Sequence, residues 1–305
     1  MLSNMNKVLI TGVAGLLGSR LADWIIENTD GEVVGIDDLS GGYIENVNSE
    51  VTFYKKNLVT DDIEDLFDKY DFDIVYHFAA YAAEGLSPFI RQFNYENNLV
   101  TTSRIINQCI THDINRLVFT STMAVYGHGN PPFDERDLPQ PIDPYGVAKY
   151  ACEMDIKIAG EQHGLDWCIV RPHNVYGEKQ NIWDRYRNVL GIWMYQYMNG
   201  DNMTIFGDGK QTRDWVHVYD VVDAFIKSSK CLNSTYETLC LGSSKNETLL
   251  DLFTFLSKIR NYKLEPIFSD ARDGDIKHMS ISGQKAKEII GWSPKIKLKE
   301  GLSKL

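Results

Sequence analysis

A tyrosine and a lysine stand four residues apart in the stretch PYGVAK, as Tyr145 and Lys149. On a helix this spacing places both side chains on one face, one above the other. Free tyrosine, with a pKa of about 10, is a poor base at neutral pH. A neighbouring ammonium favours the phenolate and brings the pKa of the tyrosine toward the range of a general base. The spacing alone decides little, because a chain with 16 tyrosines contains such pairs by chance.

Three glycines follow a strand-like segment near the N-terminus, in the stretch TGVAGLLG. Gly12, Gly15 and Gly18 have the spacing G-x-x-G-x-x-G, a variant of the dinucleotide-binding fingerprint. Such a loop turns tightly, lets the backbone approach a pyrophosphate, and opens a helix whose free N–H groups attract it. Asp37 ends the next predicted strand about 20 residues later, where an acid accepts hydrogen bonds from the adenine ribose. An acid there repels a 2′-phosphate, so the pattern predicts NAD rather than NADP. Asp38 next to it is expected to be a loop or capping residue.

Thr122 directly follows the β-branched run RLVFTS, at residues 116–121. Ligands of open α/β sheets bind at the carboxyl ends of the strands. A hydroxyl at that edge is placed to donate to a substrate oxygen, or to relay a proton from it. The alternatives are that Thr122 caps a turn and that Tyr145 packs in the core; the glycine loop favours the reactive interpretation of both.

The first half of the chain alternates strand-like and helix-like segments. Leu17, Leu21, Trp24 and Ile25 form one apolar helical stripe, and Ile105, Ile106 and Cys109 form part of another. The short runs between such helices read as strands buried on both faces, namely KVLIT (7–11), EVVGID (32–37), DIVYHF (73–78), RLVFTS (116–121) and WCIVRP (167–172). This order predicts an α/β fold, with a Rossmann-type doubly wound parallel sheet. The alternation of strands and helices ends after Gly177. This change predicts a domain of residues 1–180 and a smaller α/β domain of residues 181–305. Segments around 213–242 are expected to return to the first domain.

Composition excludes several other classes of protein. The formal net charge is −11, whereas nucleic-acid binding needs concentrated Lys and Arg. No apolar run is long enough for a membrane span, and the N-terminal segment lacks a signal-peptide core. Five scattered cysteines fit reduced core thiols better than a disulfide frame or a metal site. We therefore expect a cytoplasmic protein with neither a nucleic-acid nor a membrane partner.

An ordered set of motifs then resembles one family, the extended short-chain dehydrogenase/reductases that act on nucleotide sugars, and within it the UDP-hexose 4-epimerases. The resemblance covers nearly the whole chain. It rests on TGVAGLLG, GIDDLSGG, HFAA (77–80), Asn98, TSTMAVYG (120–127), PYGVAK, RPHNVYG (171–177), GDGKQTRDWVHVYD (207–220), ARDGD (271–275) and GWSP (291–294).

The resemblance implies roles for the reactive residues and for the cofactor site. Tyr145 would be the base that removes a sugar hydroxyl proton, Lys149 would hold the nicotinamide ribose, and Thr122 would hydrogen-bond the reacting oxygen. NAD would be bound by residues of the first domain, namely Gly12, Gly15, Leu16, Leu17, Gly18, Asp37, Asp38, Asn57, Leu58, Phe78, Ala79, Ala80, Asn98, Tyr145, Lys149 and Pro172. The family usually has an acid where Asn57 stands, but an amide oxygen also accepts the hydrogen bond from the adenine amine.

The second half resembles the nucleotide-sugar site of the same family. Asn174 would lie near the substrate diphosphate, and Arg213 and Arg272 would clamp the diphosphate or its ribose, a task that suits the planar guanidinium. The simpler alternative for these arginines is a surface salt bridge with a neighbouring aspartate. Met279 stands where related epimerases carry the residue that gates the 2-position of the hexose, and its intermediate size predicts turnover of UDP-glucose and UDP-galactose with some acceptance of the N-acetyl pair. The alternative is that Met279 points into the core.

The resemblance also separates the reactions of the family. Related 4,6-dehydratases carry Asp-Glu after the threonine, and related decarboxylases carry a glutamate two residues before the V-Y-G tyrosine. This chain has Met123 and Ala124 there, and neither side chain does acid–base work. The remaining machinery suffices for epimerisation at C4 through a 4-keto sugar, with NAD regenerated each turnover and expected to stay tightly bound. The alternatives are another nucleotide-sugar enzyme, such as a UDP-glucuronate epimerase, a reductase or a dehydratase, and a dinucleotide-sensing protein without activity.

Quaternary structure is implied by the resemblance alone. Family members form homodimers through two helices, which correspond here to about residues 94–112 and 145–164. We expect a homodimer whose face includes Ile105, Ile106 and Ile110 from the first helix, and Met154, Ile156 and Ile158 from the second. Packing of the same residues on the sheet is the alternative.

Overall fold

The computed structural model describes residues 6–184, 186, 188–271 and 276–305. The strands in this part of the chain are β1 (Lys7–Thr11), β2 (Glu32–Asp37), β3 (Thr52–Lys55), β4 (Ile74–His77), β5 (Arg116–Thr120), β6 (Trp167–Pro172), β7 (Asn174–Tyr176), β8 (Thr204–Phe206), β9 (Thr212–Arg213), β10 (Trp215–His217), β11 (Glu237–Leu241), β12 (Glu247–Thr248), β13 (Ile267–Ser269) and β14 (His278–Met279). The α-helices are α1 (Leu16–Asn28), α2 (Glu64–Lys69), α3 (Arg91–Tyr95), α4 (Thr101–Thr111), α5 (Pro144–His163), α6 (Val189–Asn199), α7 (Val218–Lys230), α8 (Leu249–Arg260), α9 (Gln284–Ile290) and α10 (Leu298–Leu302).

The centre of the described structure is a parallel sheet of seven strands in the order β11-β6-β5-β4-β1-β2-β3. Every neighbouring pair is parallel, for example Val8 of β1 beside Val33 of β2 on one side and Ile74 of β4 on the other. The chain leaves β1 toward β2 and later returns to add β4 on the opposite side. The carboxyl ends of β1 and β4 thus flank a topological switch point, where open α/β sheets bind ligands. The predicted Rossmann-type sheet is confirmed.

Helices cover both faces of this sheet, which explains why its strands are apolar on both sides. On one face, α1, α7 and α9 bury a cluster that includes Ile10, Leu21 and Phe225. On the other face, α2, α4 and α5 bury a cluster that includes Leu9, Ile105 and Ile156. These two clusters hold the strand ends in fixed positions and so provide a rigid base for the loops above them.

Another apolar cluster, separate from the two that cover the sheet, lies among α6, α8, α10 and β8 in the C-terminal half. Trp193 and Leu252 are fully buried in it. Helix α6 begins at Val189, where the Asn188 side chain accepts a hydrogen bond from the Gly191 N–H at 3.1 Å. An asparagine in that position ends the preceding loop and starts the helix.

The chain returns to the sheet after residue 213, because α7 packs beside α1 and β11 forms the edge strand next to β6. α9 also packs on this side of the molecule. The division into domains near residue 180 stays a prediction. Elements on its C-terminal side contribute both to the cluster around Ile10 and to the cluster around Trp193.

All five cysteines carry free thiols, and four of them, Cys109, Cys152, Cys168 and Cys240, are buried. Among the described residues no helix has both the length and the apolar character that crossing a bilayer requires. The same residues contain no cluster of three or more His, Cys, Asp or Glu side chains arranged to hold a metal ion.

Candidate active site

A cleft with a cavity volume of about 390 Å³ opens over the carboxyl ends of the central strands. Its walls come from the loop after β1, the ends of β2, β4, β5 and β6, the start of α5, and the loop that leads to α6. The cleft therefore combines the switch point of the sheet with residues of the C-terminal half. Pockets of this kind are the usual place for a cofactor and its substrate in α/β enzymes.

The glycine loop forms one end of the cleft. Gly12 has a φ of +73°, and a Cβ there would lie 2.8 Å from the Ala79 backbone nitrogen. A Cβ on Gly18 would overlap the Gly12 carbonyl oxygen, so glycine is required for the first turn of α1 to approach the loop. Gly15 caps α1 without a side-chain hydrogen bond, which leaves the first backbone N–H groups of the helix available to an anion.

Asp37 is held at the end of β2, beside this loop. Its Oδ2 accepts a hydrogen bond from the Ala14 N–H at 3.0 Å, and its Oδ1 accepts one from the Leu39 N–H at 2.8 Å. Burial raises the pKa of this carboxyl above its ordinary value, while these backbone donors oppose the change. Two fixed bonds orient the carboxylate in the wall of the cleft, and each oxygen has a further lone pair that can accept a hydrogen bond.

Lys149 lies in the wall of the cleft with an exposed fraction of 1%. Its Nζ donates a hydrogen bond to the Thr120 carbonyl oxygen at 2.8 Å and lies 4.6 Å from the centre of the Phe119 ring. Burial lowers the pKa of Lys149 to about 8, and Cys152 and Glu153 oppose that change. The lysine is therefore mostly an ammonium at neutral pH, anchored to the end of β5.

Tyr145 and Thr122 line the same cleft. Asp143 caps α5 by accepting a hydrogen bond from the Gly146 N–H at 2.8 Å, and this places Tyr145 in the first turn. Thr122 precedes a short 3₁₀ turn and accepts a hydrogen bond from the Ala124 N–H at 3.1 Å. Its hydroxyl still has a proton to donate toward the cleft. Thr122 therefore caps a turn, which is compatible with the reactive role that stays a prediction.

A family model confirms what this geometry indicates. The model of the NAD dependent epimerase/dehydratase family matches residues 8–235. The chain belongs to this family. A UDP-glucose 4-epimerase of Mycolicibacterium smegmatis is 31% identical over 98% of this chain and 96% of its own length.

Solved structures agree with the family assignment. The UDP-glucose 4-epimerase of Thermotoga maritima with UDP-glucose is 32% identical, covers 97% of this chain and 96% of its own, and has a TM-score of 0.93. The UDP-glucuronic acid 4-epimerase of Bacillus cereus in complex with UDP-glucuronic acid and NAD is 28% identical, covers 98% of this chain and 97% of its own, and has a TM-score of 0.90.

The residues of this chain fit the NAD of the family. The tight loop that Gly12 and Gly18 permit brings the uncapped first turn of α1 to the cleft, and its backbone N–H groups suit a pyrophosphate. Asp38 and Asn57 extend the cleft beyond Asp37, and the Asn57 amide donates to the Asp38 carboxylate at 3.2 Å. Asp38 also accepts a hydrogen bond from the Ser40 N–H at 2.8 Å, so the expected capping role is present.

Most of the predicted site residues lie together. The cleft is lined by Gly12, Gly15, Leu16, Leu17, Gly18, Asp37, Asp38, Asn57, Leu58, Phe78, Ala79, Ala80, Thr122, Tyr145, Lys149, Pro172 and Asn174. The predicted Arg272 lies outside the described residues.

Asn98, predicted to bind the cofactor, is not among the residues that line the cleft. It is fully buried, and its side-chain amide donates to the carbonyl oxygens of Tyr81 and Asn94 at 3.2 and 2.9 Å. It lies in a π-helical turn, Glu96–Val100, that joins α3 to α4. Since Tyr81 lines the cleft, Asn98 supports the wall of the site from behind.

Two other predicted residues do not line the cleft themselves, although both adjoin His173, which does. Arg213 is half-buried in β9, and its Nη1 donates to the carbonyl oxygens of Thr212 and Ile276 at 2.9 and 2.7 Å. Met279 is 1% exposed and packs in an apolar cluster with Tyr126 and Phe133. The side chain of Met279 thus packs in the core, which was the alternative interpretation, and the gate at the hexose 2-position stays a prediction.

The sequence interpretation missed a clasp across the glycine-loop end of the cleft. Lys179 Nζ lies 2.9 Å from an Asp23 carboxylate oxygen and donates to the Asn46 carbonyl oxygen at 3.1 Å. The Asn181 amide donates to the Gly41 carbonyl oxygen at 3.1 Å. Lys179, Asn46, Asn181 and Gly41 all line the cleft. The stretch GIDDLSGG contains Gly41, but nothing in the sequence indicated that residues 179–181 would cross to meet it.

Proposed function

We propose that the protein is an NAD-dependent epimerase that inverts C4 of a UDP-hexose, with UDP-glucose and UDP-galactose as its substrates. The observation that carries this proposal is that Tyr145, Lys149 and Thr122 line one cleft with the glycine loop and Asp37. The similarity to UDP-glucose 4-epimerases along nearly the whole chain supports the same assignment.

The mechanism divides the proton work among three side chains. Tyr145, as the phenolate, takes the proton of the C4 hydroxyl, and returns it to the oxygen after inversion. Thr122 donates a hydrogen bond to the same oxygen, and the Lys149 ammonium favours the phenolate. NAD, when bound, supplies the hydride acceptor and donor, and this role leaves no net change in the cofactor.

The residues after Thr122 favour epimerisation over the related eliminations. Met123 lines the cleft and Ala124 is buried, with its backbone N–H held by Thr122. Neither side chain carries a proton that it can exchange. By resemblance, dehydratases and decarboxylases need an acid at one of these positions, so residues 123 and 124 supply no acid or base for a second reaction of the 4-keto sugar.

For the substrate diphosphate, Asn174 remains in the proposed site, because it lines the cleft at the start of β7. Nη1 of Arg213 holds two backbone carbonyl oxygens, so a clamp by Arg213 would use the N–H groups of its Nη2 and Nε. Acceptance of N-acetyl sugars stays a prediction, which the position of Met279 no longer supports.

We further propose a homodimer formed by the outer surfaces of α3 and α5. Phe93 and Val147 are 43% and 41% exposed, and Met154 and Ile158 of α5 are 50% and 45% exposed. These apolar side chains suit an interface better than water. Ile105, Ile106 and Ile156, which the sequence placed on this face, instead pack in the sheet core. A cytoplasmic location stays a prediction.

The dimer is tested by sedimentation of the wild type and of a Met154→Glu/Ile158→Glu variant. We expect a dimer for the first and a monomer for the second. A wild-type monomer at micromolar concentration would contradict the proposal.

The activity is tested by incubating the protein with trace NAD and, in separate reactions, UDP-glucose, UDP-N-acetylglucosamine and UDP-glucuronate. Chromatography then resolves the C4 epimers. UDP-galactose formed without net NADH supports the proposal. Conversion of UDP-glucuronate alone would assign the protein to the reaction of the B. cereus relative. Consumption of NADPH would indicate a reductase, and no conversion despite bound NAD would indicate a sensor.

A further inference from the structure

A buried ion pair lies behind the cleft, between Glu153 of α5 and Arg171 near the end of β6. Two bonds join the side chains, from Arg171 Nε to Oε1 at 2.8 Å and from Nη2 to Oε2 at 2.5 Å. Glu153 is 0% exposed and Arg171 is 2% exposed. Burying two charges is unfavourable unless their hydrogen-bonding groups are satisfied by good geometry. The other hydrogen bonds of Glu153 and Arg171 therefore show which segments the pair holds together.

Both partners extend the pair to other segments. The Ser121 hydroxyl donates to Glu153 Oε1 at 2.5 Å. Arg171 Nη1 donates to the Tyr126 hydroxyl at 2.7 Å, and its guanidinium lies over the Tyr126 ring at 4.9 Å. Tyr126 in turn donates to the Asp134 carbonyl oxygen at 2.7 Å. One carboxylate thus connects α5, the end of β5 and the end of β6.

These three segments carry the groups that line the reactive part of the cleft. Ser121 directly precedes Thr122. Glu153 lies four residues after Lys149 on the same helix, and Arg171 directly precedes Pro172, which also lines the cleft. A shift of any one segment relative to the others would change the spacing between the reactive hydroxyl, the phenol and the ammonium.

Charge gives Glu153 a second effect on the site. Besides Tyr145 one helical turn earlier, the groups near Lys149 include the Phe119 ring, the Thr120 carbonyl, His77 of β4, and Cys152 and Glu153 of its own helix. Burial lowers the pKa of His77 to about 3 and raises the pKa of Cys152 to about 11, so both are neutral at pH 7. Among these groups Glu153 carries the negative charge that favours the ammonium, while Arg171 faces it from the other side.

We propose that Glu153 is a positioning residue of the reaction, which holds Thr122 and Lys149 in register and favours the charged form of Lys149. This inference rests on the proposed function, since turnover is one of its readouts. A purely structural ion pair would affect stability. It would change neither the pH dependence of kcat nor that of the free energy of unfolding, the two properties measured below.

The test compares Glu153→Gln and Glu153→Asp with the control Glu161→Gln, an exposed position on the same helix. Glu153→Gln should lower kcat by about 10- to 100-fold with little change in KM, because misplacement affects the reacting groups more than binding. Its alkaline limb of kcat against pH should move to lower pH, since the ammonium loses its negative partner. Glu153→Asp keeps the charge, so the alkaline limb of its kcat–pH profile should stay at the wild-type pH although kcat falls. The control should match the wild type.

A second readout needs no substrate. The free energy of unfolding, measured against pH from 7 to 10, reports the protonation of Lys149. In Glu153→Gln its rise with pH should begin at lower pH than in the wild type, and this difference should vanish when Lys149 is replaced by methionine. If Glu153→Gln does not fold, a Glu153→Met/Arg171→Met variant removes both charges at similar volume. It tests the positioning role through kcat, because the two lost charges act on the pKa of Lys149 in opposite directions.

The two proposals fail in different ways. If the wild type converts no UDP-sugar, the proposed function is wrong, and the unfolding measurement alone decides the role of Glu153. If the wild type is active but Glu153→Gln keeps its kcat and both pH profiles, the positioning role is wrong. Loss of kcat with unchanged pH profiles would overturn the electrostatic part and reduce Glu153 to a packing role.

Discussion

Replacing Lys149 with methionine should separate the stability of this protein from its activity. The ammonium is buried with a pKa of about 8, against an ordinary value of 10.5. Holding the charge in the folded state therefore costs about 3 kcal/mol at pH 7, since one pKa unit corresponds to about 1.4 kcal/mol. Methionine has a similar length and no charge to bury, although the Thr120 carbonyl loses its donor, which offsets part of the gain.

The pH dependence gives the clearer signature. The folded-state pKa of Lys149 lies below its unfolded value, so unfolding takes up a proton between pH 8 and pH 10.5. The penalty is fully present below pH 8 and disappears as the pH rises toward 10.5. The advantage of Lys149→Met in free energy of unfolding should therefore shrink by about 2 kcal/mol between pH 7 and pH 10.

The assay is urea unfolding of both proteins, freed of bound dinucleotide, at several pH values. Turnover of UDP-glucose is measured in parallel and should fall by about 10³-fold or more in the variant, because the group that favours the phenolate is lost. A stability difference that does not change between pH 7 and pH 10 would refute the reasoning, because it would mean that Lys149 is not a buried ammonium.

Other changes give separate expectations. Tyr145→Phe should lower kcat by about 10²- to 10⁴-fold without loss of folding, as judged by circular dichroism, since it removes the proposed base; near-normal turnover would assign that role to another group. Met279→Tyr should reduce the free energy of unfolding by about 1–3 kcal/mol, because the cluster around Met279 is filled, and leave the ratio of glucose to N-acetylglucosamine substrates unchanged; a changed ratio with normal stability would restore the gate. Lys179→Met should speed the release of NAD, followed by protein fluorescence, whereas the exposed control Lys210→Met should not; equal rates would show that the clasp does not retain the cofactor.

Local sequence predicts an element of the fold when its residue pattern is compatible with only one type of secondary structure. Strands such as KVLIT were predictable, because a β-branched run buried on both faces of a parallel sheet is apolar throughout. β3, with the sequence TFYK, gave no such signal, since its residues are only partly buried. β11 lies far from its neighbour β6 in the sequence, and long-range pairing decided its place at the sheet edge.

In the site, local sequence was enough to predict those residues whose chemistry depends on their neighbours along the chain. Gly12 and Gly18 need a backbone without side chains, and Tyr145 and Lys149 share a helix face through their spacing alone. Tertiary structure decided which face of an element meets the cleft. In β14 successive side chains alternate, and packing directs Met279 into the core while His278 is exposed.

Contacts between distant segments were also outside the reach of the sequence. The clasp from Lys179 to Asp23 and the pairing of Glu153 with Arg171 join residues that no local pattern relates. Each depends on where the folded backbone places two elements, because an ion pair forms only when both charged groups come within a few ångströms. The sequence alone thus indicates the chemistry of the loop and the helix, and the folded sheet decides what surrounds them.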